Sequence, residues 1–405
     1  MTEPLQQENW KSYAYVSLIG MIAVVAAAVS THLWVLTAIP IGYLFGFFLQ
    51  KGDLCGASAF SEVLLIKDRR KVFGLWILIV VAMAGFAILD LLSLVQLNPK
   101  PFLVYNHIVG GVIFGVGMVL AGGCISGCLY KAATGNLNSI VALLGIPAGV
   151  MLVEFGPLNS WHASMKQTVI KTSDGGVMSL PNVFSLPFWA LASVFSILTI
   201  LGVVISRPKK EKESNLKSSQ DSKLQGIMVR SWKPWVAGLA IGLLMVPAYL
   251  SSAASGRNYP LGVTHGVMQA ELLLIEDNLN HIWQPSSAQR TEPSDSAKAA
   301  TVQTAGKPVS WWLVALVMSM VLGSWVSARM SGQAKLLPKP PEQMIVAIIG
   351  GVLIGAGAAL ATGCIVGNIM SGWALMSLGT VLFGVVTILA NWVTTYFYLM
   401  GGSSS

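Results

Sequence analysis

The chain has 405 residues, of which 54% are hydrophobic and only 10% charged, and its mean hydropathy is +0.68. A soluble domain spends about a quarter of its residues on charge, so a globular soluble enzyme is excluded, and so is intrinsic disorder. The formal charge of +8 does not point to nucleic acid: 15 of the 25 Lys and Arg cluster at 67–71, 207–233 and 329–339, beside long apolar runs. That is the pattern of short cytoplasmic loops in a polytopic membrane protein.

A mildly acidic leader opens the chain, without a basic n-region or a clear cleavage site, so no cleavable signal peptide is expected. Apolar runs long enough for a span of about 20 residues follow near 13–29, 72–95, 186–205, 235–250 and 311–326. Shorter, glycine-punctuated runs lie between them at 33–49, 108–121, 140–153, 261–275 and 345–361. The last stretch, 374–400, reads as one long helix or two short ones. Short segments broken by glycine at matching places in two halves suggest discontinuous helices around a central site. The expected fold is an all-α polytopic membrane protein of about nine transmembrane helices plus short half-penetrating ones.

Residues 110–128 align without a gap on 350–368, and eleven of the nineteen positions are identical at a constant offset of 240. Chance similarity between apolar stretches would rarely keep the glycines and a Cys in register. The chain is therefore read as a duplication, with a first repeat over 1–205, a polar cytoplasmic linker over 206–233 and a second repeat over 234–400. The second repeat carries an external, flexible Ser/Pro/Ala-rich insertion at 284–308, and 401–405 reads as an appended tail. With 67–71 and 329–339 both cytoplasmic, 108–121 enters from outside towards Cys124 and 345–361 from inside towards Cys364. This makes an inverted-topology repeat. The same logic puts the N-terminus outside and the C-terminus in the cytoplasm, with 33–67 dipping in from the cytoplasm and returning.

Both glycine-rich runs end in small-Gly-Cys-Ile-x-Gly, with Gly123 before Cys124 and Gly363 before Cys364. A helix that stops at membrane depth is tolerated only where protein buries it or where it lines a cavity. A thiol there is a weak S–H donor, soft and polarizable, and suits a sulfur oxyanion with a terminal sulfur. The plain alternative is a small apolar residue that helices bury readily. A third isolated Cys, Cys55, follows a short apolar run, and its counterpart by position offers Thr264 and His265. Thr264 could hydrogen-bond an anion; His265 could do so or could anchor backbone. Cys128 lies one turn from Cys124, but Asn368 takes its place in the second copy, and Cys-x3-Cys lacks a second ligand pair, so no metal and no cofactor are expected. Asp53 lies close to the first Cys, with Lys51 and Arg257 as candidates to offset it or as plain loop residues.

Four motifs taken in order carry a resemblance: Gln50-Lys-Gly-Asp-Leu-Cys55, Leu120-Ala-Gly-Gly-Cys-Ile-Ser-Gly127, Leu261-Gly-Val-Thr264 and Thr362-Gly-Cys-Ile-Val-Gly-Asn368. With these the chain resembles the YeeE/YedE sulfur-transport family, the thiosulfate permeases, from about residue 34 to 392. The resemblance implies an hourglass-shaped, multi-pass protein of the bacterial inner membrane. It further implies that Cys55, Cys124 and Cys364 pass thiosulfate by S–H···S hydrogen bonds along the axis, without enzymatic turnover. Implied partners are the lipid bilayer and a small cytoplasmic sulfur-carrier protein of the TusA type. Four features depart from the family: Lys51-Gly-Asp-Leu-Cys55 stands where a more basic run is usual, Thr362 replaces a glycine, Cys128 is an extra thiol, and the 284–308 insertion is longer than the family needs. The alternatives are transport of another sulfur or selenium species, or a membrane thiol–disulfide oxidoreductase, which would need a Cys pair able to oxidise.

Overall fold

The computed structural model describes residues 10–172, 175–205, 228–275, 279–282, 307–336 and 338–401. Most of the 206–233 linker and of the 284–308 insertion lies outside the described residues. In the first part of the chain the helices are α1 (Trp10–Thr31), α2 (Ala38–Gly52), α3 (Gly56–Leu65), α4 (Arg70–Leu91), α5 (Val104–Leu120), α6 (Ile125–Ala133) and α7 (Leu137–Glu154). Two short helices, α8 (Asn159–Lys166) and α9 (Leu180–Phe184), lead to α10 (Phe188–Ile205). The remainder holds α11 (Pro234–Ala254), α12 (Thr264–Ile275), α13 (Trp311–Met330), α14 (Pro341–Leu360), the π-helical α15 (Ile365–Gly372) and α16 (Leu378–Thr395).

Among the described residues, 10 helical segments are long and apolar enough to cross a membrane. Two of these, Trp34–Leu65 and Val104–Ala133, are composites broken at 53–55 and at 121–124. Among the described residues the strands form two small pairs, β1 (Phe102–Leu103) with β2 (Val169–Ile170) and β3 (Leu279–Ile282) with β4 (Lys307–Ser310), beside two isolated bridges.

The duplicated glycine runs become α5 and α14, which pack against each other antiparallel. A Cβ at Gly110 would lie 2.8 Å from the Gly357 carbonyl oxygen, and one at Gly357 would lie 2.8 Å from that of Gly110. Gly117 and Gly350 face each other reciprocally in the same way, at 2.9 Å. Since 110 corresponds to 350 and 117 to 357, each contact maps onto its partner when the copies are exchanged. A two-fold axis across the helices produces this relation, and only glycine lets the backbones approach so closely.

The other packings follow the same exchange. Helix α4 packs on α11 as α13 packs on α2, α7 on α14 as α16 on α5, and α6 on α13 as α15 on α4. Helix α10 packs on α4 as α1 packs on α13.

One sequence expectation is corrected here. Tyr13, near the start of α1, sets its ring edge-on to Trp325 near the end of α13, 6.2 Å between centroids. Thr37, just before α2, hydrogen-bonds Ser251 near the end of α11, whereas Lys51 at the other end of α2 reaches Ser331 just past α13. So α2 crosses between the faces instead of dipping in and returning. That extra crossing reverses α1, which starts on the face where α13 ends. Helix α16 ends on this face too, through Thr395 to Ser61 and Trp392 to the Phe60 carbonyl. Both ends of the described chain thus lie on one face, together with Lys71, Lys131 and Lys335, which we term the basic face.

Candidate substrate path

Each of three cysteines occupies the residue just before a short helix. Cys55 precedes α3, Cys124 precedes α6 and Cys364 precedes α15, all with extended backbone. Cys124 (φ −84°, ψ −179°) and Cys364 (φ −92°, ψ −166°) are nearly superposable in conformation. At such a position the first backbone N–H groups of the helix are free and the positive end of its dipole faces the side chain. Three helix N-termini with a thiol at each form an interior lining suited to an anion.

The fold brings the thiols together. All four cysteines are free and buried. A Cβ at Gly127 would collide with Cys55 Sγ and would lie 3.5 Å from Cys124 Sγ, so both sulfurs bound the same small space over the bare face of α6. Gly56, next to Cys55, packs under the Ile365 side chain next to Cys364.

The turns before Cys124 and Cys364 need a left-handed residue. Gly122 supplies it at φ +68°, and Thr362, its counterpart, adopts φ +55°. That conformation is an outlier for a β-branched residue. Lys100 holds it: Nζ donates to the Thr362 carbonyl at 2.5 Å and to Asn368 Oδ1 at 2.8 Å. Asn368 Nδ2 in turn donates to the carbonyls of Gly363 (2.9 Å) and Ala361 (3.2 Å). In the first copy Lys131 Nζ donates to the Gly122 carbonyl at 2.7 Å. Two lysines from unrelated positions in the chain therefore cap equivalent carbonyls.

On the face opposite the basic one, a cavity of about 320 Å³ opens onto the Cys364 turn, lined by Lys100, Arg257, Tyr259, Thr264, His265 and Gly363 among others. Lys100 and Arg257 flank the Tyr259 ring at 5.3 and 5.5 Å, and neither has a carboxylate partner among the described residues. Burial lowers the Lys100 pKa to about 7, with the Arg257 charge acting in the same direction and Cys364 against it. Thr264 Oγ1 is buried with no hydrogen-bond partner, leaving a hydroxyl available to the cavity.

Other sequence candidates separate from this cluster. Lys51 is buried but donates to Ser331 Oγ and the Met228 carbonyl, away from Asp53. Arg257 serves the cavity on the opposite face. Asp53 is offset instead by Lys71 Nζ at 2.6 Å and by the Tyr130 hydroxyl at 2.7 Å. Cys128 is buried behind Gly123, whose Cβ would lie 3.2 Å from its sulfur. Lys100 and Lys71 gave no signal in the sequence beyond their charge, because neither lies in a repeated motif. No group of three His, Cys, Asp or Glu among the described residues could hold a metal ion.

A polytopic helical protein built on an inverted repeat, with a thiol-lined interior and a cationic mouth, is a membrane transport protein in its class. A family model described as sulphur transport matches residues 51–393. The chain is 30% identical over 370 residues to a protein of Spirochaeta thermophila named thiosulfate transporter TsuA, covering 89% of this chain and 98% of that one. It is 27% identical over 364 residues to the Escherichia coli protein of the same name, covering 89% and 94%. A shorter match, 33% over 104 residues and 25% of each chain, is to the E. coli probable transporter YedE. The chain belongs to the sulphur-transport family.

Proposed function

We propose that this protein carries thiosulfate into the cytoplasm of a bacterium, with the anion passing from the cationic cavity to Cys364 and on to Cys124 and Cys55. The observation that carries the reading is the meeting of three buried thiols, each just before a helix N-terminus, beneath a mouth lined by Lys100 and Arg257. The sulfonate oxygens suit the ammonium, the guanidinium and the Thr264 hydroxyl, while the terminal sulfur accepts weak S–H bonds from thiols.

By the positive-inside rule the basic face is cytoplasmic, so both termini and the linker lie inside and the cavity opens outward. The bilayer is the inner membrane. The repeat boundary falls ahead of α10, because α10 takes towards α4 the place that α1 takes towards α13. A small sulfur-carrier protein of the TusA type collects the cargo at the basic face.

Moving one charge against the membrane potential costs about 2.3 kcal/mol per 100 mV, so a dianion entering an inside-negative cell meets roughly twice that. Net uptake therefore needs a coupled cation or rapid removal of the product.

The test is uptake of labelled thiosulfate into proteoliposomes containing only this chain, with excess sulfate and selenite as competitors. Saturable uptake that survives excess sulfate is expected. Equal inhibition by sulfate, or no uptake at all, would overturn the reading.

A further inference from the structure

We propose that the Asp53 carboxylate closes the inner end of the path as a built-in anion, holding the Lys71 ammonium and the Tyr130 hydroxyl until thiosulfate at Cys55 displaces it. This deepens the transport reading above and rests on it.

Asp53 follows the last residue of α2, in the left-handed conformation (φ +44°, ψ +42°) that breaks the helix before Cys55. The Cys55 backbone N–H donates back to the Asp53 carbonyl at 3.0 Å, so carboxylate and thiol leave one tight turn. Across from that turn stands α6. Its Gly127 faces the thiols, and Tyr130, three residues on and hence on the same face, donates its hydroxyl to Asp53 Oδ1 at 2.7 Å. Helix α6 runs towards the basic face, where the Thr134 carbonyl just past its end accepts from the Lys335 N–H. The Asp53–Tyr130 contact therefore lies about one helical turn from the space over Gly127, on its basic-face side. It joins the two elements that bound that space.

Exposure shows which partner is free to move. The Asp53 side chain is 57% exposed, whereas that of Lys71 is 15% exposed and Tyr130 is buried. Lys71 keeps an ion pair without Asp53, since Glu62 Oε1 also lies 2.6 Å from Nζ and Ser58 Oγ 3.3 Å. An ion pair with one partner in water is weak, so the carboxylate swings outward at small cost. It leaves behind an ammonium and a hydroxyl, both sheltered donors beside the thiols, which is the set a sulfonate group takes. Thiosulfate and the carboxylate cannot both hold them. A ligand shifts an equilibrium only through its differential affinity for two states, and here the open state alone offers thiosulfate these donors. When the carboxylate returns it expels the anion, so the inner end releases its cargo and resists refilling. Only hydrogen bonds and one ion pair are exchanged. The outer turn has no such tie, because the 240 offset puts Met370 at the place of Tyr130.

The experiment uses the full chain in inside-out membrane vesicles and a membrane-impermeant methanethiosulfonate, with Cys55 labelling read by mass spectrometry. Asp53→Asn keeps a residue at ease in the left-handed region, and Tyr130→Phe keeps the ring. Each should label Cys55 roughly tenfold faster or more than wild type, the loss of one hydrogen bond to a charged group. Glu62→Gln should label at the wild-type rate, because Asp53 stays on both donors. Thiosulfate added at the cytoplasmic side should protect Cys55, and Asp53→Asn should need roughly tenfold less of it than wild type, because a neutral amide competes weakly. A carboxylate with a merely structural role predicts no such tightening. Wild-type labelling in Asp53→Asn or Tyr130→Phe, labelling of Glu62→Gln as fast as theirs, or an unchanged protective concentration in Asp53→Asn would overturn the proposal. Absence of protection by thiosulfate in wild type and all variants alike would instead overturn the transport reading.

Discussion

The turns at Cys124 and Cys364 are copies of one sequence motif in almost one conformation, yet their surroundings have opposite character. Around Cys124, on the basic face, acids stand among the cations: Lys71 bridges Asp53 and Glu62 at 2.6 Å each, and Tyr130 also holds Asp53, while Lys131 caps the Gly122 carbonyl without an ion pair. Around Cys364 the cations Lys100 and Arg257 have no acid among the described residues. Over the bare face of Gly127 lies a thiol, Cys55, whereas over its counterpart Gly367 lies the Lys100 ammonium, 3.8 Å from where a Cβ would be. The duplicated scaffold supplies two equivalent helix ends, and residues outside the repeat motif leave uncompensated cations beside one and acids beside the other. In the proposed reading, a symmetric fold acquires a direction through these few side chains on loops and helix ends.

The largest effect should come from erasing what the two turns share. Cys124→Ser and Cys364→Ser are nearly isosteric and introduce a stronger donor, so a generic anion path would tolerate them or improve. In a dry, narrow lining a hydroxyl mismatched to terminal sulfur costs on the order of 1–3 kcal/mol, or roughly five- to 150-fold in affinity. Thiosulfate uptake should fall by that factor without a matching gain in sulfate uptake. Near wild-type uptake by both Ser variants would reduce the thiols to packing residues and remove the likeness between the turns.

The next effect concerns what sets the turns apart. With a Lys100 pKa of about 7, the ammonium is charged below that pH and neutral above it, so thiosulfate binding should weaken as pH rises through about 7. Thiosulfate itself does not titrate there. Lys100→Arg keeps the charge to higher pH and should move this limb to alkaline values, while Lys100→Met should weaken binding at neutral pH roughly tenfold or more, the loss of one charge-assisted hydrogen bond. Binding by the detergent-solubilised protein, without a proton gradient, isolates this effect from transport. An unchanged pH profile in Lys100→Arg would refute the role of the ammonium.

Much of this comparison was legible in the sequence because it is written in duplicated glycines. The offset of 240, the antiparallel pairing of α5 with α14 and the two Cys turns all follow from residues 110–128 and 350–368. The nearness of Cys55 to Cys124 was not legible, since it depends on α6 presenting Gly127 to a helix end 72 positions earlier in the chain. Nor were Lys100, Asn106 and His162, which reach the second copy or its surroundings from a loop, the first turn of α5 and a short helix. Charge placement gave the basic face but misjudged α1, because counting crossings fails when a 15-residue helix such as α2 crosses.

The smallest effect tests a position where the copies differ in sequence. Cys128 and Asn368 are equivalent by the 240 offset, and both are fully buried. Asn368 ties down its turn by donating to the Ala361 and Gly363 carbonyls and accepting from Lys100. Cys128 has its backbone N–H on the Cys124 carbonyl at 2.7 Å, an ordinary helical bond that any residue makes, and its sulfur fills space behind Gly123. Cys128→Ala therefore removes one buried heavy atom, worth about 1 kcal/mol of stability, and should leave uptake within about fivefold of wild type, the equivalent of 1 kcal/mol. Asn368→Cys, which makes the second copy like the first, should do far more harm. It leaves two buried carbonyls without a donor and Lys100 with one acceptor fewer, each orphaned group costing about 1–3 kcal/mol. Thermal stability and thiosulfate uptake of the two variants, measured side by side, decide the matter. If Cys128→Ala lost as much uptake as Cys124→Ala, the first copy would work through a paired thiol, and its turn would differ from the second in mechanism as well as in charge.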